Sequence, residues 1–152
     1  MNEVIGRTQG TATTAPALAI EIVSDVICPW CWIGKRRLEE ALIRLDPSVD
    51  VRVTWRPFEL NPDMPRAGAD RREYRAAKFG SRARSDALDA DVAAVGRSVG
   101  LAFRHERMTR TPNTFDAHRL IALARSEGRQ DALVEGLFSA YFHEGRDVGA
   151  AD

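Results

Sequence analysis

Ser24-Asp25-Val26-Ile27-Cys28-Pro29-Trp30-Cys31-Trp32-Ile33-Gly34-Lys35 is the stretch that decides the fold. An apolar run, Leu18 to Val23, leads into it, and Leu38, Ala41, Leu42 and Leu45 follow at helical spacing. The two cysteines therefore sit where a strand, read as buried, turns into a helix. The first amides of a helix lack internal partners and carry a partial positive charge. A sulfur placed there ionises more easily, and the thiolate is the reactive species. Pro29 suits the first helical turn, where its missing N–H costs nothing and its φ is preset. The Cys-x-x-Cys spacing puts both sulfurs on one end of that turn, within bridging reach once the rotamers allow it. Asp25 reads as a cap for this helix, Lys35, Arg36 and Arg37 as a solvated face, and Trp32 and Trp55 as core.

Working outward, Asp46-Pro47-Ser48 stops the helix, because Pro47 cannot continue it. From Val49 to Trp55 apolar and polar residues alternate, the mark of a strand covered on one face. Strand, helix and strand at this spacing form a βαβ unit, so the two strands are expected to be parallel with a right-handed crossover. Asn61 to Gly68 is a loop dense in turn formers. Everything afterwards reads as helix: Asp70 to Phe79, Asp86 to Val99 with Gly100 as its stop, a helix beginning after Thr111-Pro112-Asn113-Thr114, and Asp131 to His143. Asn113 and Thr114 read as that third helix's cap. Its buried stripe is expected to be Phe115, Ala117, Leu120, Ile121 and Ala124, with His118 packed or exposed rather than catalytic. Leu101 to Met108 reads as a short extended connector, and Gly145 to Asp152 as a tail without a core pattern.

The chain has 152 residues, 44% of them apolar, which suits one domain with a real core. Its 22 basic and 22 acidic residues cancel, which argues against nucleic acid or an anionic membrane as the main partner. No apolar run approaches the roughly 20 residues of a membrane helix. Met1 to Pro16 is polar and small, with no apolar segment of the secretory kind. The expected location is the cytoplasm, where a lone dithiol is more often catalytic than structural. Two cysteines are too few for a structural zinc site, and His105, His118 and His143 show no ligand spacing. No metal and no cofactor are expected.

The run from Ser24 to Gly34 resembles the DsbA-like thioredoxin-fold oxidoreductases, in particular their FrnE-like branch. Trp55-Arg56-Pro57-Phe58-Glu59-Leu60-Asn61-Pro62, Pro112-Asn113-Thr114 with Ala117-His118-Arg119-Leu120, and Tyr141-Phe142-His143-Glu144-Gly145 are similar to that branch as well, so the resemblance spans about Ala19 to Asp147. It implies an α/β fold: a thioredoxin-like βαβ unit with an all-helical insert. The expected division is 1–17 as a mobile leader, 18–60 as the N-terminal half of the thioredoxin-like domain, 61–144 as the helical insert and 145–152 as a tail. Cys28 would be the nucleophilic cysteine and Cys31 the resolving one, with Pro29, Trp30, Asp25 and Asn113 as active-site neighbours.

The implied function is thiol–disulfide exchange on proteins or low-molecular-weight thiols. One alternative is a glutathione-transferase-like or hydroxychromene-carboxylate-isomerase-like enzyme acting on a small aromatic or polyketide compound. Another is an inactive, truncated binding domain. Two departures stand out. Many relatives carry a buried acid six residues before the first cysteine, where this chain has Ile22. The family also continues with further strands and a helix opened by a cis-proline, and no proline follows Pro112. The pattern therefore reads as C-terminally truncated. A first strand left as an open edge leads to the expectation of a homo-oligomer or a completing chain.

Overall fold

The computed structural model describes residues 17–150, so all of the expected leader but Ala17 lies outside the described residues. Strand β1 (Ala17–Ser24), helix α1 (Pro29–Ile43) and strand β2 (Asp50–Pro57) form the βαβ unit. The strands pair in parallel from Ala17 opposite Asp50 to Ser24 opposite Pro57. A second, antiparallel ribbon joins β3 (Ala69–Asp70) to β4 (Arg110–Thr111). Between its strands lie α2 (Arg71–Phe79) and α3 (Arg82–Ser98), and after it come α4 (Phe115–Leu123), α5 (Gln130–Ser139) and a wider helical turn at Ala140–Glu144. This is an α/β, thioredoxin-like fold with a helical insert. The second ribbon was not expected from the sequence, because two-residue strands are set by long-range pairing and leave no local pattern.

Local chemistry fixes the helix ends. The Asp70 and Ser81 side chains cap α2 and α3 by accepting from the backbone N–H groups of Glu73 and Arg84. Gly100 stops α3 as expected: its φ of 76° lets the Leu101 N–H reach back 2.9 Å to the Gly96 carbonyl.

The core is an aromatic cluster centred on Trp32. Its ring stacks on Phe138 and Phe142 at 6.1 and 5.9 Å and meets Phe103 edge-on at 5.4 Å. Trp55 adds an edge contact to Phe138. Both tryptophans are core residues, as their sequence context suggested. Two acids of α5 tie the unit together: Glu135 accepts from the Trp32 indole N–H at 3.2 Å, and Asp131 from that of Trp55 at 3.3 Å. Gln130 bonds β2 on the edge away from β1. Its side-chain oxygen accepts from the Trp55 N–H, and its amide donates to the carbonyls of Trp55 and Ile121.

Several burial expectations are corrected. β1 is not buried: Val23 is 62% exposed, and only Ser24 is buried. Ile20 and Ile22 face the covered side while Glu21 and Val23 face out, so apolar residues on both faces meet cover on one. In α1 the buried residues are Trp32, Ile33 and Lys35, whereas Ala41 and, past the helix end, Leu45 are exposed, since only the first two turns are wedged against the helical region. Lys35 is not on a solvated face. It is 4% exposed, with its ammonium against Glu39, Asp131 at 3.1 Å and Glu135 at 3.2 Å. Burial pulls its pKa down, but the three carboxylates outweigh it and hold the ammonium above its ordinary value.

In α4 the buried residues are Ala117, His118 and Ile121, while Phe115 and Leu120 are exposed. The Arg66 guanidinium lies 5.0 Å over the Phe115 ring instead. The connector from Leu101 to Met108 contains a tight turn at His105–Arg107 and buries Leu101, Phe103 and Met108. The last helix ends at Ser139 and continues as the wider turn, which turns both Tyr141 and Phe142 inward. The tail is not free of the core: Val148 packs on it, and a Cβ at Gly149 would lie 2.5 Å from the Asn113 carbonyl oxygen.

Phe138 is fully buried at the centre of the cluster. Phe138→Ala is expected to cost about 3–5 kcal/mol. A denaturant titration checks this, and a loss under about 1 kcal/mol would show that the cluster is not the stability centre.

Candidate active site

The turn before α1 delivers the dithiol. The Cys28 N–H closes it on the Asp25 carbonyl at 3.0 Å. Cys28 is the residue preceding the helix, extended at φ −92° and ψ 109°, and Pro29 opens the first turn. No side chain caps α1, so its first amides are open to the sulfur. The N–H groups of Cys31 and Trp30 both bond to Cys28 and favour its thiolate.

The thiols also bond each other, and they titrate as a pair. The bond from Cys28 is the largest influence on Cys31 and draws it down to about 6, against the opposing effect of burial. The Ser24 hydroxyl and the Asp25 N–H add to the lowering, while the Asp25 charge raises it. The same thiol–thiol bond, then burial, pushes Cys28 up, because its proton is shared with Cys31. One proton thus leaves the pair readily and the second is held.

A cavity of about 410 Å³ opens in front of the pair. Cys28, Pro29 and Trp30 form one wall, and α2 and α3 form the opposite one. Ile27, Leu60, Phe79, Leu88, Val92 and Met108 supply much of its apolar surface. Cys28 lines it and Cys31 does not. Trp30 is 53% exposed at the rim. Sequence reasoning missed Asn61, whose side-chain oxygen accepts from Tyr74 at 2.5 Å and Lys78 at 2.9 Å within this wall. It also missed Asp89, which takes Arg71 and Arg75 at 2.7 Å each. The pairing of Tyr74 with Lys78 four residues on was the one available signal, and it points only to a shared helix face.

One expected neighbour sits elsewhere, and two expected caps do not form. Asn113 does not line the cavity: it donates to the Met64 carbonyl at 2.6 Å and accepts from the Phe115 N–H at 3.0 Å. Thr114 makes no side-chain cap. Asp25 does not cap α1 either. It is 1% exposed, and its carboxylate accepts from the Leu60 N–H at 2.7 Å and the Ile27 N–H at 3.4 Å. His118 Nε2 stands 3.4 Å from the same carboxylate.

Comparison with known proteins agrees with this architecture. The DSBA-like thioredoxin domain matches residues 19–152. The crystal structure of a "probable DsbA oxidoreductase" from Streptomyces coelicolor superposes with a TM-score of 0.73 at 35% identity, covering 86% of this chain and 56% of that one. YwbO, an uncharacterized protein of Bacillus subtilis, is 25% identical over 133 residues, 88% of this chain and 60% of its own. The chain thus spans less than two thirds of the length of each.

Thiolate absorbance of the reduced protein is expected to rise with a midpoint near 6 as pH increases. Cys28→Ala removes the largest lowering influence on Cys31 and should move that midpoint up toward the ordinary thiol value of 9.0. An unchanged midpoint in the variant would show that the thiol–thiol bond does not set it.

Proposed function

The chain belongs to the DSBA-like thioredoxin domain family, and from that premise we propose that it is a thiol–disulfide oxidoreductase working through Cys28 and Cys31. The observation that carries this reading is the placement of two free thiols at an uncapped helix N-terminus, with Cys28 facing a cavity. Cys28 is the nucleophile because it alone of the pair lines that cavity. As it attacks a substrate disulfide, its proton passes to the Cys31 thiolate, and the N–H groups of Trp30 and Cys31 receive the charge. A Cys28–substrate S–S bond forms, the substrate's own S–S bond breaks, and the electron pair leaves with the departing sulfur. Cys31 then attacks Cys28, closing the protein disulfide and releasing the second substrate thiol. Oxidation of a substrate dithiol is the reverse.

The substrates in this reading are cysteine-bearing proteins or small thiols and disulfides. The FrnE-like branch, supported by the sequence blocks around Trp55, Pro112 and Tyr141, and a cytoplasmic setting belong to the same proposal. No helix among the described residues is long and apolar enough to cross a membrane. A second reading, thiol chemistry on a small apolar compound, is favoured by the largely apolar cavity beside Cys28.

The wild-type chain is expected to accelerate insulin reduction by dithiothreitol. Cys28→Ser should return the rate to background, and Cys31→Ser should accumulate mixed disulfides visible by mass. A wild-type rate equal to background, with alkylation of Cys28 no faster than that of a free thiol, would sink the oxidoreductase reading.

A further inference from the structure

The cavity that Cys28 lines has a positive charge in its wall that its own neighbours do not balance. Arg71 and Arg75, one turn apart on α2, both reach the same carboxylate, Asp89 of α3, at 2.7 Å each. Their side chains are 9% and 20% exposed, and that of Asp89 13%. Among the described residues no second carboxylate lies within ion-pair distance of either guanidinium. Two largely buried cations thus share one anion. Asp89 engages only Nη2 of Arg71, so Nε and Nη1 have no acceptor among the described residues. Burial, joined by the Arg71 charge, holds Arg75 below its ordinary value in spite of Asp89. His105 stands 3.9 Å from the same acid, and burial lowers its pKa, so it brings no second negative charge to the cluster. The exposed Lys78 and Asp91, also in the lining, offset each other. Charges buried without a counter-charge are costly.

A second, independent feature lies in the same lining. Thr111 is 5% exposed, and its hydroxyl is buried without a hydrogen-bond partner among the described residues. Buried hydroxyls are nearly always paired. The β3–β4 ribbon holds Thr111 beside the start of α2: Ala69 lies opposite it, and the Arg71 N–H donates to the Thr109 carbonyl at 3.0 Å. The remaining lining is largely apolar, and about 410 Å³ falls in the size range of small-molecule sites.

We propose that the cavity binds small disulfides whose apolar halves each carry one carboxylate. The carboxylate docks at Arg71 and Arg75, the Thr111 hydroxyl donates to the bound molecule, and the sulfur meets Cys28. This rests on the oxidoreductase reading above and narrows its substrate class. A guanidinium presents a planar fork that matches a carboxylate. One negative charge is what the two guanidiniums lack, so a monoanion fits where a dianionic phosphate would overshoot. In the step itself Cys28 attacks the sulfur of the seated half. The bond from Cys28 to that sulfur forms, the substrate's S–S bond breaks, and the electron pair leaves with the other half as its thiolate. Cys31 then attacks Cys28, and the seated half departs as the second thiolate. The dithiol is oxidised, the small disulfide is reduced, and the dithiol's protons pass to the product thiolates or to solvent.

The test uses the full chain, reduced, with two aromatic disulfides as probes: dithiobis(nitrobenzoate), with one carboxylate on each half, and dithiodipyridine, with none. Each first-release rate is scaled to the rate of that reagent with free dithiothreitol. The 22 basic and 22 acidic residues cancel, so bulk attraction does not favour the anion. The scaled rate is expected to favour the carboxylate reagent about tenfold or more. Arg71→Gln, Arg75→Gln and Thr111→Val should each lower that ratio. A second readout needs no variant and stands even if one does not fold. Nitrobenzoate should slow alkylation of Cys28 by iodoacetamide, followed by mass, and nitrobenzamide should not. Equal scaled rates in the wild type overturn the proposal, as do a ratio that folded variants leave unchanged and equal protection by the two nitro compounds. Equal rates alongside accelerated insulin reduction remove only the carboxylate site. No first release from either reagent removes the oxidoreductase reading, and the proposal with it.

Discussion

The burial of Trp32 is the contact on which the rest of the structure depends. It stands next to the second cysteine, so whatever holds its ring also holds the dithiol. Three aromatic partners from two distant segments surround it, each pair contributing about 0.5–1.5 kcal/mol beyond the area it buries. Its indole N–H needs a partner in that setting, and Glu135 supplies one. That acid must itself be neutralised, which accounts for Lys35 and Arg36 one turn further along α1. A buried ammonium is tolerated only when paired, and three carboxylates meet the condition. Aromatic packing and ion pairing thus lock the first two turns of α1 onto α5, while its last turn, with Ile43 84% exposed, is left uncovered.

Rigidity at that helix end matters because the chemistry is electrostatic. Nothing in the sequence supplies a cation between the cysteines. The charge on the dithiol is instead supported by backbone amides and by the second thiol. These are dipoles, effective only when held in orientation. Arg71 and Arg75 across the cavity are occupied by Asp89, and burial lowers Arg75 below its ordinary value. The cavity wall facing the sulfurs is accordingly polar in patches but not a bare cationic surface.

Much of this was legible in the sequence where the determinants are local. The strand-to-helix position of Cys28 and Pro29, the parallel pairing of β1 with β2 and the stop at Gly100 follow from periodicity, proline and glycine, which act within a few residues. What stayed hidden depends on partners far along the chain. Lys35 looks like a surface residue until Asp131 and Glu135 arrive from nearly a hundred residues away. His118 looks neutral to the fold until Asp25 lies beneath it. Phe115 and Leu120 fit a buried stripe by spacing, but the covered face of α4 is narrower than the apolar one. The cavity draws its walls from six separated segments, so no window of sequence contains it. Asp25 and Asn113 are residue types that favour caps, and each also reaches a distant loop. Asp25 caps nothing on α1 and holds Leu60, whereas Asn113 accepts from the first N–H of α4, as its sequence context suggested, and donates to Met64.

The side chain of Gln130 imitates a neighbouring peptide group, giving and receiving a bond at Trp55 on the flank of β2 turned away from β1. That flank is sealed, while β1 has β2 as its sole strand partner among the described residues. The sheet is therefore one-sided. Any additional strand, whatever its source, has a single berth beside Val23 and its neighbours, and arrives on the flank opposite the one α5 occupies.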